Sequence, residues 1–587
     1  MLMRHLRRAA VLAMIFFFAT VAVVRAADPR SPAAAKAKGE PLEQLLATFG
    51  ASKQTVMVPM SDGVKLATDV FLPPGDGPFP VVLTRTPYNR TAAAMGAVAV
   101  LTQGYACVLQ DMRGRFGSEG ENLPFIGCGW EELHDGADTV AWIAQQPWCN
   151  KKIGTFGPSA CGITQNLMAG AAPAGLTAQY IQVAADSLYD DAAYVGGAYR
   201  KEQLDNWTLS NKFDPKAIDL FRTHVSYDEF WQRFDSAIKH AVMNTPAIHV
   251  GGWFDTFCQG TINSFVGRQY RGAEGARGKQ KLVMGPWDHG GGSIGGIGGL
   301  GRLAGRDKVG DLTFRNSQFP GKYDFARWFD CLLKGTDNGI LKEPAVAYYV
   351  MGDTETPDAP GNEWRYSEVW PIACTETPYY FTKDGGLATA KPSDAGPRNR
   401  EYTFDPADPC PTLGGCNLTI AKGPKNQNSI EGRKDVLLFT TEPLTQPVEV
   451  TGRVWARIWV SSSAADTDVS VRFCDVYPDG RSFLMAEGML RLRCRESLAK
   501  PVPLTPGRLY EVAVGCWSTS IVINKGHRIR CTVTSSNHPR FDVNPGTGKS
   551  VYEGPEMVKQ TNRVFCDAEH PSRIILPVIK PAPAAKI

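Results

Sequence analysis

The stretch Lys152-Ile153-Gly154-Thr155-Phe156-Gly157-Pro158-Ser159-Ala160-Cys161-Gly162 decides the fold. Its first half is a short, mainly apolar run of the kind that forms a buried strand, and a helical pattern starts near Ile163. A serine at such a junction sits in a sharp turn. Its neighbours must be small to let strand and helix approach, and Gly157, Ala160, Cys161 and Gly162 meet that demand. The helix start also directs backbone N–H groups toward negative charge developing on a reacting group. The spacing is G-x-S-x-x-G, one residue longer than the common G-x-S-x-G elbow. Alone, it does not separate a nucleophile from a plain strand–turn–helix.

Working outward, residues 80–84 (PVVLT), 105–111 (YACVLQD) and 179–184 (QYIQVA) read as further buried strands. Between them, 135–146 (DGADTVAWIAQQ) places Ala137, Val140, Ala141 and Ala144 on one helical face, and Pro147 ends it. Strands alternating with helices predict a mainly parallel sheet covered on both faces. The pattern lapses over 187–244, rich in charge and aromatics, which reads as a helical insertion. It resumes at 247–250 and 281–284 and closes with a helix over 322–334. The glycine-rich run 290–301 reads as a flexible loop. After Ala345 strands come in pairs broken by Pro, Asp and Gly, at 448–460, 468–477, 483–494, 510–516 and 528–534. Such a texture predicts a β-sandwich of jelly-roll type. The expected organisation is an α/β-hydrolase domain in two segments (27–186 and 245–345), a helical cap (187–244) and a C-terminal jelly roll (346–587).

In an α/β-hydrolase, the acid and the histidine follow the serine in that order, on loops after later strands. Asp255 ends the run AIHVGGWFD and His289 ends KLVMGPWDH. Each falls at the carboxyl edge of a predicted strand, where α/β sheets bind ligands. His289 would take the Ser159 proton and return it to the leaving group, and Asp255 would fix the imidazole tautomer. Trp253, Phe254 and Trp287, beside these residues, are read as lining the substrate pocket or packing beneath it.

The chain has 587 residues, 43% hydrophobic and 21% charged, as expected of a multidomain globular protein. Residues 1–26 carry a basic head, an apolar run and a small-residue end. They read as a secretory signal cleaved near Ala26, implying a periplasmic or secreted protein. Removing them takes away four arginines and no acid, which brings the formal charge of +4 to about zero. No basic run with interleaved aromatics compensates, so a nucleic-acid partner is not expected. No later stretch is apolar and long enough to span a bilayer. Homo-oligomerisation stays open. Fourteen cysteines in an exported chain suggest some disulfides. Cys410 with Cys416 and Cys128 with Cys149 are the candidate pairs, while Cys107 and Cys161 read as small buried hydrophobes. No cysteine or histidine cluster has metal-ligand spacing, and no cofactor is implied.

These segments resemble the serine hydrolase family of cocaine esterase, α-amino-acid ester hydrolases and X-prolyl dipeptidyl peptidases. The matching pieces include Thr86-Pro87-Tyr88-Asn89, Asp111-Met112-Arg113-Gly114, the Ser159 elbow, Gly252-Trp253-Phe254-Asp255 and Gly285-Pro286-Trp287-Asp288-His289. In the second half, Asp408-Pro409-Cys410-Pro411-Thr412 and Asp475-Val476-Tyr477-Pro478-Asp479-Gly480 also match. The resemblance implies that the Tyr88 hydroxyl and the Ala160 N–H stabilise the oxyanion. Two departures bear on substrate. The residue after the nucleophile, usually tyrosine, is Ala160, which predicts a more open pocket wall. Acidic residues that follow the triad aspartate in α-amino-acid ester hydrolases are replaced by Thr256-Phe257-Cys258. The expected activity is hydrolysis of a small carboxylic ester, or an amide, through an acyl-enzyme. The rivals are a peptidase cutting after a penultimate proline and a binding protein that uses the sandwich on an inactive scaffold.

Overall fold

The computed structural model describes residues 41–290, 307–393 and 396–580. The signal segment and the glycine-rich run beyond Gly290 lie outside the described residues. The predicted strand–helix alternation forms one sheet. Its strands are β1 (Ser52–Pro59), β2 (Lys65–Leu72), β3 (Phe79–Thr86), β4 (Ala106–Asp111), β5 (Cys149–Pro158), β6 (Leu176–Gln182), β7 (Ala247–Phe254), β8 (Lys281–Asp288), β9 (Val346–Val350) and β10 (Glu363–Ser367). The order is β1-β2-β4-β3-β5-β6-β7-β8-β9-β10. All pairings from β4 through β9 are parallel. Those strands are apolar on both faces because helices cover both sides; every residue of β4 and β7 is buried. The edges differ. The hairpin β1–β2 and strand β10 are antiparallel, and β1 is largely exposed.

The helices that position the site are α1 (Arg90–Leu101), α2 (Asp135–Ala144) and α3 (Ala160–Gly170), with α4 (Lys201–Ser210) and α5 (Lys216–Thr223) in the cap. They are followed by α6 (Cys258–Arg271) and α7 (Phe325–Lys334). Asn89 caps α1 by accepting the Thr91 N–H at 3.0 Å. Asp111, Arg113 and Ser118 hold the loop after β4: Arg113 binds Asp135 at 2.6 Å and Asp62 at 2.7 Å, and Ser118 donates to the Asp111 carbonyl at 2.8 Å. The insertion after β6 packs through aromatic contacts, with Trp231 edge-on to Tyr189, Tyr194 and Phe230 and stacked on Phe221.

The C-terminal part is a two-layer β-sandwich. One sheet contains Thr375–Phe381, Arg573–Val578, Val448–Ser462, Gln560–Phe565 and Asn399–Phe404 in that order, with Leu509–Ile523 paired on Val448–Ser462. The other runs Leu437–Thr440, Arg528–Thr534, Asp468–Val476, Ser482–Arg491. Phe381 of the first sheet stacks on Phe439 of the second at 4.0 Å.

The disulfide expectation is corrected. All fourteen cysteines are free. The members of each proposed pair belong to different apolar clusters: Cys128 and Cys149 to two clusters of the catalytic half, Cys410 and Cys416 to two others. The Cys416 thiol points at the Trp253 carbonyl, 3.5 Å away, while Cys410 faces Arg472.

Candidate active site

Ser159 stands between β5 and α3 with φ 57° and ψ −127°, a backbone conformation that non-glycine residues avoid and that reactive sites hold under strain. Its N–H donates to the Gln182 carbonyl at 3.0 Å, and its own carbonyl opens α3 by accepting from Gly162 and Ile163. The long elbow spacing has a steric cause. A Cβ on Gly162 would lie 2.8 Å from the Ala184 Cβ and 2.9 Å from the Gln182 carbonyl. A Cβ on Gly157 would lie 2.4 Å from the Cys161 Cβ. Cys161 therefore fills the space over Gly157, and the close approach of helix to strand falls one residue later.

Asp255 follows β7 and His289 follows β8, two neighbouring strands. A side chain at Gly252 would strike the Trp287 carbonyl at 2.2 Å, so glycine there lets the two strand ends converge. Asp255 is wholly buried; one oxygen accepts the Phe257 N–H and the other lies 2.7 Å from His289 Nδ1. His289 Nε2 lies 3.0 Å from Ser159 Oγ. In the neutral tautomer with the proton on Nδ1, the imidazole donates to Asp255 and accepts from the serine hydroxyl. Beneath Asp255, the buried Arg200 donates to the carbonyl of Thr256 at 3.0 Å and to its hydroxyl at 2.5 Å. Burial, with the nearby Arg540, lowers the Arg200 pKa to about 9.

Tyr88, after β3, is flanked by Ser159 and the Ala160 N–H, and its hydroxyl accepts the indole N–H of Trp207 at 3.0 Å. Burial, with the nearby Cys161, pushes its pKa up to about 12. The phenol therefore stays a proton donor at neutral pH. Cys161 is raised to about 12 by burial and stays a thiol.

A pocket opens from Ser159 and Ala160 under the cap. Its walls include Leu188, Leu204, Trp207 and Phe221 of the cap, Phe257 after β7, and Leu418 from the sandwich. None of its lining residues is acidic. Trp253, Phe254 and Trp287 do not line it, which corrects their assignment to the substrate pocket and leaves the other placement expected for them, packing beneath it. Trp253 packs on Trp370 and donates to the Tyr349 carbonyl; Trp287 packs on Phe319 and Trp364 and donates to Ser317. All three are buried beneath the site. They sit within or at the end of strands, so their side chains enter the layers covering the sheet. Trp207, Phe257 and Leu418 are site residues that sequence reasoning did not single out. The aromatic density of 187–244 was a signal for Trp207; nothing local marked Leu418.

A serine, an imidazole and a buried carboxylate in series on the carboxyl edge of this sheet define a serine hydrolase of the α/β-hydrolase class. Residues 62–217 and 208–291 match the family model of the X-Pro dipeptidyl-peptidase (S15 family). Residues 338–575 match the model of the X-Pro dipeptidyl-peptidase C-terminal non-catalytic domain. The cocaine esterase of Rhodococcus sp. (strain MB1 Bresler) is 35% identical over 592 residues, covering 89% of this chain and 98% of that one. The chain belongs to this family of serine hydrolases acting on esters. Among solved structures, an aminopeptidase from a marine sediment archaeon (Thaumarchaeota archaeon) aligns with TM-score 0.77 and 27% identity over 95% of this chain and 100% of its own. An α-amino acid ester hydrolase aligns with TM-score 0.73 and 26% identity over 94% and 100%.

Proposed function

We propose that the protein hydrolyses carboxylic esters of a small apolar acyl group, with Ser159 as nucleophile, His289 as general base and acid, and Asp255 as its orienting partner. One observation carries this: the unbroken path from Asp255 through His289 to Ser159, at 2.7 and 3.0 Å. Ser159 Oγ attacks the carbonyl carbon as its proton passes to His289 Nε2. The oxyanion is held by the Tyr88 hydroxyl and the Ala160 N–H. The imidazolium then protonates the leaving alcohol, and an acyl-serine remains. Water enters, gives its proton to His289 and attacks the acyl carbon; the proton returns to Ser159 as the acid departs. Removing one oxyanion donor typically lowers kcat by about 100- to 1,000-fold.

The acyl pocket has a free volume of about 50 Å³. A single water occupies roughly 10–15 Å³ on this scale, so only a short or slim acyl group enters without the cap shifting. The absence of acidic residues among those lining the pocket disfavours an amino-terminal substrate, and with it the dipeptidyl-peptidase reading. Labelling with a fluorophosphonate probe tests the nucleophile: the wild type is labelled and Ser159→Ala is not. Comparing p-nitrophenyl acetate with Ala-Pro-p-nitroanilide tests the bond type, with the ester expected to dominate; preferential cleavage of the anilide would refute the esterase reading. We further propose export by residues 1–26, supported by their basic head and apolar run. The N-terminal sequence of the mature protein checks it.

A further inference from the structure

We infer that Lys422, which belongs to the C-terminal part of the chain, is a positioning residue for His289; this rests on the reading of His289 as general base. The backbone before His289 is held by β8, whose last residue, Asp288, pairs with Phe254 of β7 after a shift in register. A second restraint on the same residue comes from the C-terminal part of the chain. Lys422 Nζ donates to the His289 carbonyl at 2.5 Å and to the Leu418 carbonyl at 3.4 Å. A hydrogen bond from an ammonium is about twice as strong as a neutral one, so this contact restrains the backbone at the histidine itself.

The lysine is presented by a closed loop. Gly415 and Gly423 pair through two backbone hydrogen bonds of 2.9 and 3.0 Å, and Asn417 donates across the loop to the carbonyls of Gly414 and Ala421. The cap holds the loop from outside. The buried carboxylate of Glu202, on α4, accepts the N–H groups of Leu418 at 2.8 Å and Thr419 at 3.0 Å, and the Thr419 hydroxyl at 2.5 Å. Arg200 donates to the Cys416 carbonyl at 3.1 Å. The backbone that carries Lys422 is therefore pre-shaped, and its Nζ is shared between the Leu418 and His289 carbonyls.

Steady-state kinetics on p-nitrophenyl acetate with Lys422→Met and Lys422→Arg test the inference. Misplacing a catalytic group by about 1 Å lowers rate by about 100-fold. Lys422→Met is expected to lower kcat by about 10- to 100-fold with KM within about twofold, and to slow fluorophosphonate inactivation in parallel. Lys422→Arg, which keeps a cationic donor, is expected to recover at least half of the loss on a logarithmic scale. An unchanged kcat, a rise in KM alone, or a loss that arginine does not relieve would each overturn the positioning role. If the methionine variant does not accumulate as folded protein, Lys422→Gln carries the same outcomes. Failure of the underlying reading is separate: it would appear as fluorophosphonate labelling or ester turnover that survives Ser159→Ala.

Discussion

The indole N–H of Trp207 donates to the hydroxyl of Tyr88 at 3.0 Å. The phenol oxygen accepts from the cap; in the proposed mechanism its own proton would be donated to the reacting carbonyl. Trp207→Phe keeps the ring stacked on Phe125 but removes this donor. A typical hydrogen bond contributes about 1 kcal/mol, so kcat on a p-nitrophenyl ester should fall by about fivefold. Tyr88→Phe should lower it by about 100- to 1,000-fold. Because burial raises the Tyr88 pKa to about 12 in the folded protein, its donor form persists past the ordinary tyrosine value near 10. The kcat profile should therefore show no fall from phenol ionisation at pH 10, and a fall there absent from Tyr88→Phe would contradict the assignment.

Glycine at position 162 is required by contact with rigid neighbours. Gly162→Ala brings a methyl group to 2.8 Å from Ala184 and 2.9 Å from a backbone oxygen. Overpacking of this kind typically destabilises by about 1–3 kcal/mol, and here the strain falls on the turn that carries Ser159. Thermal unfolding should show a lower Tm, and turnover should drop with it. Adding Cys161→Gly to restore the common elbow spacing should not rescue either, since the close approach is at 162.

His527 joins the sandwich to the catalytic sheet. Its Nδ1 lies 2.8 Å from Asp475 and its Nε2 lies 3.5 Å from Asp353, in the loop after β9. Tyr477 packs against the ring, and Asn524 donates to Asp353. Burial works against the imidazolium, but the two carboxylates outweigh it and hold its pKa above the ordinary value. The stabilisation is whole below about pH 6.5, where the unfolded chain also binds the proton, and drains as pH rises through the folded value. The Tm advantage of wild type over His527→Gln should be larger at pH 6 than at pH 8.5. A gap that widens with pH would show the sign to be wrong.

The thiols give a direct chemical count. With all fourteen cysteines free and Cys374 exposed, thiol titration should find fourteen groups in denaturant without reductant. In the native protein Cys374 should react first, because the other thirteen are buried or partly covered. Mass loss on oxidation-free mapping, which would reveal a disulfide, should be absent.

The parallel strands were legible because strands buried on both faces are mainly apolar on consecutive residues, as in 105–109 and 247–250. The positions of Ser159, Asp255 and His289 were legible because strand ends can be counted along the chain. The hairpin β1–β2 was not, since an edge strand such as Ser52–Pro59 is exposed over most of its length and its short apolar run, Val56–Val58, is not long enough to mark it as a strand. Whether Trp253 and Trp287 line the pocket or pack beneath it was not legible, because proximity in sequence to a strand end does not tell which face of the sheet a residue enters. Cys410 and Cys416 invited a bridge by spacing, yet spacing does not fix the direction of a Cβ. Leu418 and Lys422 reach the site across more than a hundred residues of chain from His289, a distance over which local pattern has nothing to say.

The loop from Gly415 to Gly423 also sets limits on how such proteins can be recombined. Exchanging the C-terminal sandwich for that of a relative would appear harmless, because Ser159, Asp255 and His289 all lie in the first half of the chain. The exchange would nevertheless remove the cation that meets the His289 carbonyl and one wall of the acyl pocket, while leaving the Glu202 carboxylate buried on α4 without its backbone donors. A crossover that keeps function must carry Arg200, Glu202 and the 415–423 loop from the same parent.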